Sequence, residues 1–399
     1  MCRQSTLSLL LAFILLVTQV GCWSSKEVEE LSIYTGLALD QGELSPLEQD
    51  LEKKGSRYFK KNKITASVQI VPKKSSGSTN QQGSGGGQEL NYVNIASTGD
   101  SLLEIFRQLS LRLDRPVIGH HLKVIVVSTE LAKQQTMQQL MDFVLRDNDI
   151  RPSCMVFLSK ERAAKTLVTK YTGEIPSIHI LNMLRNHFRT SKVMKGVNLS
   201  EMDGLMHSKK SYILQNIIES EGELEFSGAG IIKGETGHWI GTLGQQDVES
   251  IGWIKGDVEG GAVKTYDKRN EAITYEIKSV KSKITTKVAD DDDISFHVKI
   301  ESKGRLIENW DEKVDPTETR NMKEAELEFE KQVTRRVKSL MHKLQSEYKV
   351  DVAGFGDHLK IEKPQVWKKV KDDWDYKFSK IPVTFDVKLT ITDLGSSAE

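Results

Sequence analysis

Cysteine is almost missing from this chain: Cys2, Cys22 and Cys154 are the whole supply in 399 residues. An internal disulfide framework is therefore excluded once the N-terminal stretch is considered below. A charge excess of either sign is also lacking, because 56 Lys and Arg face 56 Asp and Glu. That balance gives no general field for nucleic acid or anionic lipid. Long apolar runs are absent too. The one candidate, Leu7 to Val20, has 14 residues, short of the roughly 20 that a spanning helix needs. GxSxG and HExxH patterns do not occur, and no paired acids mark a cleft, which argues against an enzyme.

What is present begins at the N-terminus. Arg3 precedes the apolar run, and Val20-Gly21-Cys22 closes it. A small residue before a cysteine at that place is where bacterial lipoproteins are cut and acylated, although Gln19 stands where an aliphatic residue is usual. The expectation is a lipoprotein signal peptide over residues 1–21 and a lipidated Cys22. The mature chain would keep 378 residues, long enough for two or three domains, with 55 basic and 56 acidic side chains. Two or more acyl chains suffice for stable membrane attachment where one is marginal. Cys154 would then be the only free thiol, and its apolar setting, Ser153 to Leu158, makes it a buried core residue.

The chain reads as α+β, with mixed sheets flanked by helices in two to three domains. Ile64, Ala66, Val68 and Ile70 alternate as in a half-buried strand, and an extended pattern resumes over residues 91–96. Between them, residues 73–88 (KKSSGSTNQQGSGGGQ) carry no apolar side chain and predict a flexible loop. Helices are predicted over residues 97–113, 128–145 and 160–170, with strands over 120–127 and 155–158 between them. This alternation favours an N-terminal α/β domain over residues 22–200. Periodicity fades between Asn198 and Leu214, so a C-terminal α+β region over 201–399 follows, divisible at about 201–265 and 266–395. Short strands at 228–233 and 239–241, alternation at Ile273, Tyr275 and Ile277 and again at Ile294 to Ile300 predict an antiparallel sheet. Residues 325–349 form the longest predicted helix, acidic first and basic later, as the helix dipole favours. A shorter helix over 364–375 and an alternating strand from Ile381 to Ile391 close the chain.

The residues that most resemble chemistry have plainer readings. His120-His121, placed on a strand, would point to opposite faces and could not chelate one ion together. His179 and His187 lack companions at ligand spacing and read as solvated or core. The acidic run Asp290 to Asp293 has neither the glycine nor the distal glutamate of a calcium loop and reads as a solvated turn. Gly83 to Gly87 and the glycines at 228, 230 and 234 do not make a phosphate loop. Trp367 and Trp374, one heptad apart, read as helix core. No catalytic residue, metal site or cofactor is expected.

Taken together, Gly21-Cys22-Trp23, Glu30-Leu31, Gly36-Leu37-Ala38-Leu39-Asp40, Arg115-Pro116, His121-Leu122-Lys123, Glu130-Leu131-Ala132, residues 143–147 (FVLRD) and Ile150-Arg151 form an ordered series. It continues with Asp351, Gly354-Phe355-Gly356, Pro364, Trp367-Lys368, Trp374 and Phe378. This series resembles the C subunits of spore germination receptors, the Ger(x)C family of lipoproteins, over almost the whole chain; the Gly/Ser-rich stretch looks like an insertion. The resemblance implies a non-catalytic three-domain α+β subunit, lipid-anchored on the outer face of the spore inner membrane. It implies work beside integral membrane A and B subunits in sensing nutrient germinants. A lipid-anchored binding protein that itself captures a nutrient is the alternative, and a surface hydrolase a third.

Overall fold

The computed structural model describes residues 31–56, 64–72, 91–171, 173–289 and 293–395. Cys22, the stretch 73–88 and Asp290 to Asp292 lie outside the described residues. The first half of the chain builds one large sheet. Its elements are β1 (Ser32–Gln41), α1 (Pro46–Lys53), β2 (Ile64–Ile70), β3 (Val93–Gly99), α2 (Leu102–Leu109), β4 (Val117–Ile118), β5 (Val124–Ser128), α3 (Thr129–Gln134), α4 (Met137–Arg146) and β6 (Met155–Ser159). After a 3-10 turn at Ala163–Leu167 come α5 (Pro176–Leu184), β7 (Val197–Asn198), α6 (Leu199–His207), β8 (Tyr212–Ser220), β9 (Glu223–Ile232) and β10 (Trp239–Leu243).

The strand order is β10-β9-β8-β6-β5-β1-β2-β3, with β4 beside β1 and β7 beside β6. β1, β5, β6 and β8 run parallel in the middle, and antiparallel pairs flank them. A parallel centre must be covered on both faces, and β5 is indeed buried along its whole length. Leu102, Ile105, Leu140, Val144 and Met202 from α2, α4 and α6 cover one face. Ala163, Leu167, Ile180 and Leu184 cover the other. Cys154 is buried, as its apolar setting predicted.

The second half adds α7 (Gln245–Lys255), β11 (Ala262–Tyr266), β12 (Ala272–Val288), β13 (Ile294–Asn309), α8 (Thr319–His342), α9 (Phe355–Glu362), α10 (Pro364–Val370), α11 (Trp374–Phe378) and β14 (Val383–Asp393). These strands form a four-stranded sheet, β11-β12-β13-β14, in which the long hairpin is antiparallel and β14 returns parallel to β13. Its inner face packs on α7, α8 and α9 through Trp253, Phe329, Val337, Leu340 and Phe355, all fully buried. The same core takes in Ile213, Ala229, Ile231 and Leu243 of the first sheet. Strands of the first sheet thus contribute directly to the core of the second. Mixed α+β architecture is as the composition and patterning predicted.

Several elements differ from the sequence reading. The predicted helix over 128–145 breaks at Gln135, which is extended, because Thr136 caps a new helix in a reciprocal box with Gln139. The predicted 160–170 helix is only the 3-10 turn, held by Asp40 accepting from Ala163 N (2.6 Å) and Ala164 N (2.9 Å). Residues 97–99 finish β3 instead of opening a helix. His120-His121 occupy a turn ahead of β5 rather than the strand itself, and His120 faces Asp149 at 3.4 Å. The longest helix starts earlier, at Thr319, and its last turn, Lys343–Tyr348, widens to a π-helix that ends in left-handed Lys349. The predicted 364–375 helix splits in two at Lys371–Asp373, and the closing strand begins at Val383.

Both described sheet edges at β3 and β14 are plugged by side chains. Glu48 Oε1 accepts from Thr98 N at 2.7 Å and Arg112 donates to Ala96 O on β3. On β14, Ile391 N donates to Glu326 at 2.8 Å and Leu389 N to Glu330 at 3.2 Å. Edge groups that would otherwise invite a further strand are satisfied from α1, from Arg112 and from α8.

Candidate functional site

A groove of about 1000 Å³ runs along the junction of the two sheet units. One wall comes from residues 193–197 and 208–213 with Lys233; the other comes from Ile251, Gly252 and Lys255 of α7, residues 349–357, and residues 371–376 with Trp367. In this second wall lies a densely bonded polar site centred on Asp351 and Asp375.

Asp351 follows the left-handed Lys349 and opens the turn into α9. Its Oδ1 accepts from Ala353 N (3.2 Å), Gly354 N (2.9 Å) and Phe355 N (3.2 Å). Its Oδ2 accepts from Gly356 N (2.6 Å) and from the Trp374 indole Nε1 (2.8 Å). Burial pushes this carboxyl above the ordinary range, and the bonds from Gly356 and Trp374 act in the opposite direction. The two glycines are required by different causes. Gly354 has φ +90°, a region L side chains avoid, and a Cβ on Gly356 would meet Trp374 Nε1 at 2.6 Å.

Trp374 is thereby fixed beneath Asp351. Its ring stands edge-on to Trp367 at 5.3 Å and to Phe296 at 6.4 Å, and Phe378 lies 6.0 Å away. The two tryptophans were expected on one continuous helix. They sit instead on α10 and α11, half-buried, and pack as an aromatic layer over the core.

Asp375 joins the halves of the chain. Ser211 Oγ donates to its Oδ2 at 2.7 Å, Lys233 Nζ pairs with the same oxygen at 2.9 Å, and Asp351 N donates to its Oδ1 at 3.0 Å. Lys233 also donates to Lys349 O (3.1 Å), and Gly234 N to Ser211 Oγ (3.0 Å). Lys210 pairs with Asp357 beside them. Lys233 and Asp375 are only 19% and 20% exposed, so their attraction is less screened than that of a surface pair. Two further buried acids, both on α7, tie it to α8. Glu249 pairs with Arg336 (2.8 Å) and accepts from Ser191 Oγ (2.9 Å), while Asp247 pairs with Lys343 at 2.7 Å.

Of the residues singled out in the sequence, Asp351, Gly354, Phe355, Gly356, Trp367, Trp374 and Phe378 converge here. Asp40 does not; it holds the 3-10 turn on the opposite unit. His187 borders the groove and faces Glu259 at 3.1 Å, whereas His179 faces Glu174 at 3.1 Å elsewhere. Among the described residues no group of three or more His, Cys, Asp or Glu side chains is placed to hold a metal ion. Sequence reasoning missed Asp375, Lys233, Ser211 and Glu249. An acid three residues before a Gly-x-Gly turn was a signal for Asp351; partners more than a hundred residues away left none for Lys233.

This arrangement defines a two-sheet α+β subunit whose elaborated polar site is a joint between its own halves. Residues 24–219 match the family model described as "Spore germination protein N-terminal domain", and residues 227–395 match "Spore germination B3/ GerAC like, C-terminal". The chain belongs to this family of germinant receptor C subunits, which act in spore germination. It is 37% identical over 392 residues to spore germination protein YndF of Bacillus subtilis (strain 168), covering 98% of this chain and 96% of the relative. Spore germination protein B3 of the same organism is 29% identical over 387 residues, 96% of each chain. The crystal structure of the GerBC protein superposes with a TM-score of 0.60 at 26% identity, covering 83% of this chain and 94% of that one. It is not a known enzyme family.

Proposed function

We propose that this chain is the lipid-anchored C subunit of a nutrient germinant receptor, acting as a non-catalytic docking scaffold for integral membrane A and B subunits. Acyl groups on Cys22 hold it on the extracytoplasmic face of the spore inner membrane and so raise its effective concentration near those subunits. The observation that carries the reading is the use made of two acids in the motifs that resemble the family. Asp40 and Asp351 are both occupied by backbone donors of their own chain, which is what a rigid scaffold needs of them. Among the described residues no helix is long and apolar enough to cross a membrane.

The test is Cys22→Ala in sporulating cells. The variant should leave the membrane fraction and slow nutrient-triggered germination, and affinity capture of the acylated protein should bring A and B subunits with it. Full membrane retention of the variant defeats the anchor, and capture without membrane subunits defeats the scaffold. The junction groove favours one second reading, capture of a small nutrient by this chain itself. Calorimetry of the chain from residue 23 against amino acids and sugars separates the two, because a scaffold gives no binding heat.

A further inference from the structure

The outer face of the four-stranded sheet is open, and its charges are not evenly mixed. Cross-strand register places Lys281 opposite Glu301 and Lys388, Lys283 opposite Lys299 and Asp386, and Lys303 opposite Thr390. These five lysines are exposed and share one face, since their neighbours along each strand (Ile284, Ile300, Ser302, Leu389) are buried. Two acids, Glu301 and Asp386, stand among them. Lys299 pairs with Glu301 at 2.6 Å, whereas Lys281, Lys283, Lys303 and Lys388 form no salt bridge among the described residues. Further along, Arg305 with Glu276 and Lys278 with Asp393 are closed pairs and leave no excess.

The two ends of this face differ. At the β11 end, Tyr266 pairs with Ala272, and Trp310 N donates to Ala272 O, so two aromatic residues, 51% and 67% exposed, lie in one rung. At the other end the described hairpin closes with Val288 paired to Ile294.

We propose that this face lies against the headgroups of an anionic phospholipid bilayer, as a second contact beside the N-terminal lipid. The occupant follows from the chemistry of the patch. Its free cations are all lysines on flexible stems, spread over three neighbouring strands, which suits diffuse attraction to many phosphates and not the bidentate recognition of one carboxylate partner. Trp and Tyr at one margin are the side chains that settle at a membrane interface. The contact rests on the membrane-bound reading above, but needs no acyl group to be measured.

The three described cores are built from residues after 31, so the chain from residue 23 serves as the non-acylated protein. Sedimentation with phosphatidylcholine vesicles, with and without phosphatidylglycerol, should show binding to the anionic set only, released by high salt. At roughly fivefold per lysine, Lys281→Gln, Lys283→Gln and Lys388→Gln together should weaken that binding about 100-fold. Lys53→Gln with Lys54→Gln, on α1, should leave it unchanged. Trp310→Ser, at an exposed position, provides a second variant that keeps the fold and should weaken binding without removing its salt dependence. Equal partition into both vesicle types, binding that ignores salt, or an unaffected triple variant overturns the proposal. So does binding to soluble polyglutamate with none to vesicles. If no vesicle binds while the acylated protein still fractionates with membranes, this face is refuted and the Cys22 anchor stands.

Discussion

Replacing Asp351 tests whether the joint is held as its geometry says. Five donors converge on two carboxylate oxygens, four of them backbone N–H groups and the fifth the Trp374 indole. Asp351→Ala strands all five in a buried site. At about 1–3 kcal/mol for each buried group left unpaired, and with the turn able to relax around some of them, the loss should be about 3–5 kcal/mol. Asp351→Asn keeps one oxygen for the three donors on Oδ1 but turns an amide N–H₂ toward Gly356 N and Trp374 Nε1. It also removes the cost of burying a charge, the effect that raises the carboxyl in the folded chain. The amide should therefore cost less, about 1–3 kcal/mol, and the order of stability should be Asp, Asn, Ala. Guanidinium titration followed by circular dichroism gives the free energies, and the indole signal of the Trp374 layer should change most in Asp351→Ala. If both variants unfold within about 0.5 kcal/mol of the parent, the donor set is not what stabilises this turn and the reasoning fails.

Two further substitutions probe buried charge. Glu249→Ala leaves Arg336 uncompensated at 16% exposure, so denaturation should show a loss of about 3–5 kcal/mol, largely restored when Arg336→Met is added; a loss under 1 kcal/mol from the single change refutes the pairing. Glu48 is buried, which pushes its carboxyl up, but bonds from Ser45 and Thr98 outweigh this and leave it below its ordinary 4.5. A lowered value stabilises the fold above that ordinary value and is lost as pH falls through the folded one. Glu48→Gln should thus cost about 1–2 kcal/mol at neutral pH, and the gap should close in acid; a pH-independent gap in thermal melts contradicts this.

How much was legible in the sequence depended on the distance over which each feature is decided. β5 and β14 were readable because burial of one or both faces is written in consecutive residues. The stripe of Val333, Val337 and Leu340 gave α8 for the same reason, though not its start at Thr319, which lies outside the apolar stripe. Breaks were harder. The kink at Gln135 is caused by Thr136 and Gln139 capping each other, a local choice that competes with an unbroken apolar periodicity. The split at Lys371–Asp373 seats Trp374 under Asp351, and that demand comes from a residue in another element. The joint itself was half visible. Asp351 and its glycines stood out as a pattern, while Lys233 and Ser211 reach Asp375 only through the fold.

The core that the second sheet shares with strands of the first has a mechanical corollary. Ile213, Ala229, Ile231 and Leu243 belong to strands of the first sheet yet pack with α7 and α8, so swinging one half away from the other would expose them. A push on either end should travel to the other as rotation of a stiff lever. Severing the chain between them would bare a greasy wall on each fragment, and neither half should stay dispersed in water.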